Sequence, residues 1–119
     1  MTNPEGAYWF LNNDYNLKEP VVFDKLFYWS ITNALLAAST DSMNDRLHLC
    51  NCTPEEARGM KLEIKPDWEN EQKETLKCLL SQKFSNRELR QKLFAIPLEY
   101  LIAMPLDLTV DIIIELRRQ

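Results

Sequence analysis

The chain has 119 residues and a mass of 14.0 kDa, which suits one domain and leaves little room for a second. Hydrophobic residues make up 45% and charged residues 27%, the profile of a globular rather than a disordered chain. A net charge of -4 argues against unaided binding of duplex nucleic acid, which needs a concentrated positive surface.

Residues 7–24 carry extended signals. Ala7-Tyr8-Trp9-Phe10-Leu11 is apolar, Asn12-Asn13-Asp14 makes a turn, and Val21-Val22-Phe23 after Pro20 predicts a strand or small hairpin. From Asp24 the period changes to helical. Leu26, Trp29, Asn33, Leu36 and Ala37 would share one face of a buried helix over 24–38, with Trp29 in the core. Asp41-Ser42 can cap a second helix through about Cys50. Thr53-Pro54-Glu55-Glu56 sets a hydroxyl at an N-cap, proline at the first helical position and a carboxylate three residues after the cap, with Gly59 as the stop. Pro66-Asp67-Trp68 opens a longer helix to about Gln82, with Trp68, Leu76, Leu79 and Leu80 inward. Ser85-Asn86-Arg87-Glu88 matches a second capping box, and Pro97 ends the helix that follows. The stretch 108–118 is ambiguous: Ile112-Ile113-Ile114 favours strand, whereas Arg117-Arg118 suits a helix C-terminus.

The chemistry open to these residues is narrow. Two glycines, Gly6 and Gly59, cannot build a phosphate-binding loop or a dinucleotide fingerprint, so no cofactor is expected. His48-Leu49-Cys50-Asn51-Cys52 looks like a metal cluster, but the spacing is unlike zinc modules and His48 is the single histidine. Three cysteines, Cys50, Cys52 and Cys78, fit reduced structural thiols and a cytoplasmic location. No apolar run approaches the ~20 residues that span a bilayer, so no membrane partner is expected. Residues 1–5 do not resemble a secretory signal. With one histidine there is no nucleophile–base arrangement. Trp68, at a helix start beside Asp67, is the aromatic best placed to keep a ring face open for stacking.

The order of motifs adds a resemblance. Leu11-Asn12-Asn13-Asp14-Tyr15 resembles the L-S-N-F-Y element that opens NADAR (NAD- and ADP-ribose-associated) domains. Tyr28-Trp29-Ser30-Ile31-Thr32-Asn33-Ala34 is similar to their y-p-S-v-E-h-a helix, and Thr53-Pro54-Glu55-Glu56-Ala57 to their t-P-x-e-A turn. Pro66-Asp67-Trp68 and Lys83-Phe84-Ser85-Asn86-Arg87-Glu88-Leu89 extend the likeness to about residue 101. The resemblance implies an α+β, mainly helical, compact single-domain YbiA-like (NADAR) fold over 1–119. It also implies N-glycosidic chemistry, in which a base-like group is cleaved from a ribose phosphate or ADP-ribose. Oxocarbenium character develops at the sugar, and such a site calls for a carboxylate, an aromatic for the leaving base and cations for phosphate.

The motifs depart from the family where that chemistry belongs. Thr32 stands in place of the acid and Ser39 in place of a lysine. Ala103 follows Leu101-Ile102 where an acid is expected, and only Asp107 answers the later one, with no Trp-Gly after it. Threonine cannot take a proton at neutral pH or balance a developing positive charge. Losing one such group costs ~10²–10³ in rate. The expectation is therefore a degenerate domain that binds a nucleotide or ADP-ribose-like molecule through Asn13, Tyr15, Ser30, Thr32, Trp68 and Lys83, without glycosidase activity. The alternative is an active, divergent N-glycosidase using Asp14, Asp67 or Asp107. A third reading is an interaction or inhibitor protein of phage origin, with a protein partner or homodimer through Ile112, Ile113, Ile114 and Leu116.

Overall fold

In the computed structural model, which describes residues 6–104 and 107–118, a 3₁₀ turn at Trp9–Leu11 leads into a two-stranded antiparallel sheet. The strands are β1 (Val21–Phe23) and β2 (Leu26–Tyr28), paired Val21 to Tyr28, Val22 to Phe27 and Phe23 to Leu26. Seven helices follow among the described residues: α1 (Ile31–Ala38), α2 (Met43–Leu49), α3 (Pro54–Arg58), α4 (Trp68–Lys83), α5 (Arg87–Ala95), α6 (Leu98–Ala103) and α7 (Leu108–Arg117). The fold is α+β and mainly helical. None of the described helices is long and apolar enough to cross a membrane. Residues 1–5, where no secretory signal was read, lie outside the described residues.

The hairpin takes the first part of the helix expected over 24–38. Asp24 and Lys25 adopt φ of 48° and 69°, a two-residue turn in the left-handed region that matches strand twist. Arg46 holds that turn: its Nη1 donates to Asp24 Oδ2 at 2.6 Å and its guanidinium lies 5.2 Å from the Phe23 ring centroid. Its Nε donates to the Ala37 and Thr40 carbonyls at 3.1 and 2.9 Å, so one buried side chain joins the hairpin to the C-terminal end of α1. The spacing of Leu26, Trp29 and Asn33 is helical, yet Val21, Phe23, Leu26 and Tyr28 equally satisfy the alternation of a half-buried hairpin. Trp29 is consequently 47% exposed rather than core.

α1 starts at Ser30, whose Oγ accepts from Asn33 N at 3.0 Å. Its buried Ala34, Ala37 and Ala38 let α4 lie close, and α4 contributes Leu76, Leu79 and Leu80 to the core they share. Two hydrogen bonds fix the antiparallel sense of that pair. Lys65 N donates to Ser39 O at the C-terminal end of α1, and Lys83 Nζ donates to Asn12 O beside its N-terminal end. Thr53 caps α3 in a full capping box with Glu56, as the sequence indicates. The α5 cap is Asn86, not Ser85, because the Ser85 hydroxyl turns back to the Gln82 carbonyl while Asn86 Oδ1 accepts from Leu89 N. Segment 108–117 is helical, capped by Asp107, and α6 was not anticipated. Ile112 and Ile113 are buried, and Ile114 and Leu116 pack against the core, so this tail is not an exposed dimer surface.

Candidate functional site

A cleft of about 430 Å³ opens at the N-terminal end of α1, lined by Asp14, Asn16, Trp29, Ser30, Asn33, Asn51, Cys52, Thr53 and Pro54. That volume falls within the roughly 300–1,000 Å³ usual for small-molecule pockets. Three segments build it. The Asn12–Tyr15 turn is anchored by Thr32 N donating to Asn13 O at 3.0 Å. The end of β2 supplies Trp29, and the α2–α3 connection supplies the opposite wall. Asn33 joins the two sides, its Nδ2 donating to Leu49 O at 2.9 Å and Cys52 O at 2.8 Å, while Ser30 Oγ donates to its Oδ1 at 2.8 Å. Ser30 and Asn33 are therefore buried floor whose polar atoms face each other and the backbone.

Among the described residues Asp14 is the one carboxylate in the lining, and it is already engaged. Both its oxygens accept from Arg58 Nη1 at 2.6 Å, and Oδ1 also accepts from Thr32 Oγ1. Thr32 thus acts as a donor to Asp14 and does not itself line the cleft. Cys52 keeps its proton more firmly than an ordinary thiol, because burial and the nearby Glu56 carboxylate both disfavour the thiolate. The remaining exposed groups of the described lining are the half-exposed Trp29 ring, the amides of Asn16 and Asn51, and Thr53; Asn51 Nδ2 donates to Leu47 O at 3.2 Å, and the Thr53 hydroxyl is held in its capping box.

The other sequence-derived residues fall into three places. Asn13 lies just behind the cleft and donates through Nδ2 to Thr109 Oγ1 at 2.9 Å. Lys83 is 2% exposed; its Nζ donates to Asn12 O at 3.0 Å and lies 5.5 Å from the Tyr15 ring centroid. Burial lowers its pKa to about 7. Lys83 and Tyr15 brace the turn that carries Asp14 and do not line the cleft. Trp68 sits at the opposite end of α1, about 12 Å away by helix rise, beneath the Lys65 ammonium at 5.7 Å. Asp67 is exposed beside it, and Asp107 is held as the α7 cap by Val110 N at 2.8 Å.

Sequence reasoning missed Trp29, Asn16, Asn51 and Arg58. The available signal was strand alternation, which puts Phe27 and Trp29 on the outward side once β2 is recognised. No group of three His, Cys, Asp or Glu side chains is disposed to hold a metal among the described residues. No protein-family model, curated protein or solved structure matches the chain.

Proposed function

We propose that the protein is a binding module for a nucleotide- or ADP-ribose-type small molecule and has no N-glycosidase activity. The observation that carries this reading is the α1 cleft, in which an open Trp29 ring stands beside the exposed amides of Asn16 and Asn51 while Asp14 is engaged by Arg58 and Thr32. A base would stack on Trp29, with Asn16 and Asn51 offering donors and acceptors to its edge. Arg58, which meets the cleft through its ion pair with Asp14, would be the cation offered to a phosphate. Glycosidic cleavage would need a carboxylate turned toward the anomeric carbon, and Asp14 would first have to leave its guanidinium.

The divergent-glycosidase reading rests on that same Asp14, since neither Asp67 nor Asp107 lines the cleft. Calorimetry across ADP-ribose, ribose phosphates and flavin precursors, with chromatography of each mixture, separates the readings. Saturable binding with intact ligand supports the module. Released base, lost in Asp14→Asn, would establish the enzyme instead.

A further inference from the structure

The two edges of the hairpin are treated differently. In a two-residue hairpin the pair flanking the turn is hydrogen-bonded, here Phe23 with Leu26, so Val22 and Phe27 form the non-bonded pair. Their backbone groups therefore point outward, one residue on each edge. On β1 the edge is closed by a side chain: Val22 N donates to Gln82 Oε1 at 2.7 Å, and Gln82 Nε2 donates to Val22 O at 2.9 Å. The Gln82 amide acts as a one-residue third strand. On β2 no described group bonds the outward N–H and C=O of Phe27.

Beside that open edge runs a groove of about 460 Å³ lined by Pro20, Leu26, Phe27, Trp29, Cys50 and Asn51. Phe27 is 57% exposed and its cross-strand neighbour Val22 is 40% exposed. Unprotected edges of this kind are templates for pairing with another chain, and proteins commonly blunt them with charge, proline or a cover.

We propose that β2 pairs antiparallel with the β2 strand of a second copy, Phe27 opposite Phe27, giving a four-stranded sheet across the two molecules. The occupant follows from the geometry. A single outward residue with one donor and one acceptor is self-complementary about a two-fold axis, because each Phe27 donates to and accepts from the other. None of the described residues lining the groove is charged, so two molecules of net charge -4 can bring these linings together without opposing carboxylates from them. The apolar Phe27 and Val22 side chains then form a contiguous row on one face of the joined sheet.

Sedimentation equilibrium of the full chain tests this, with Phe27→Pro as the main variant. Proline removes an N–H that the hairpin itself does not use and fits extended backbone, so the fold should persist while the edge closes. The wild type should rise from 14.0 kDa toward twice that mass with concentration, and Phe27→Pro should stay monomeric with unchanged circular dichroism. Phe27→Lys, which keeps the N–H but sets like charges across the axis, should weaken the dimer roughly tenfold or more. In the wild type, amide exchange at Phe27 should slow as concentration rises. A wild type that remains monomeric into the millimolar range, or a dimer that survives both substitutions, would overturn the proposal.

Discussion

Thr32 shows how one side chain changes what a cleft can do. With a hydroxyl there, the Asp14 carboxylate gains a donor and keeps Arg58. Thr32→Glu would set a second carboxylate against Asp14 and compete for the same guanidinium. The expected outcome is a melting temperature lowered by a few degrees and no base release from ADP-ribose, checked by thermal unfolding and chromatography. A single variant that cleaved the ligand would show that the scaffold is still catalytically arranged. Lys83 makes a different prediction. Its pKa is near 7 in the fold against 10.5 for an ordinary lysine, so between those values the unfolded chain binds a proton that the native state does not. Stability should therefore rise with pH above about 7, by about 2–3 kcal/mol between pH 7 and 9. Urea unfolding of the wild type against Lys83→Met measures it: the variant should lose this slope, and parallel pH profiles would exclude the lysine as its source.

Elements with local chemistry at their ends were legible in the sequence. The Thr53 capping box, the α2 cap at Ser42 and the start of α4 each rest on neighbours within three or four residues. The hairpin was only half legible, because its turn is Asp24-Lys25 instead of a glycine-bearing pair. Its stability rests on Arg46, 22 residues away from Asp24, a contact that no local pattern encodes. Arg46→Ala should leave the Thr40 carbonyl without its donor, weaken the satisfaction of the Ala37 carbonyl and release the turn, costing about 2–4 kcal/mol. Arg46→Lys should rescue little, since one ammonium cannot serve both carbonyls, Asp24 and the Phe23 ring together. Denaturant midpoints of the two variants check this, and near-wild-type stability in Arg46→Lys would argue against the fork.

At the scale of the whole molecule, the antiparallel packing of α4 on α1 decides which residues can act together. It carries Lys83 toward the Asn12–Asn13 turn and Trp68 to the far end of α1. Candidates gathered by motif order thus lie at both ends of one helix, a separation set by tertiary packing that no linear spacing reports. The hairpin, by displacing the start of α1 to Ser30, leaves Trp29, expected in the core, as the aromatic of the cleft. Calorimetric titration of ADP-ribose into Trp29→Ala and Trp68→Ala, beside the wild type, tests that assignment most directly. Stacking on an aromatic is worth ~1–3 kcal/mol per base, so Trp29→Ala should weaken binding roughly tenfold to a hundredfold. Trp68→Ala, once folding is confirmed by circular dichroism, should bind as the wild type does. Loss of binding in Trp68→Ala with none in Trp29→Ala would contradict the account and return the ligand to the other end of α1.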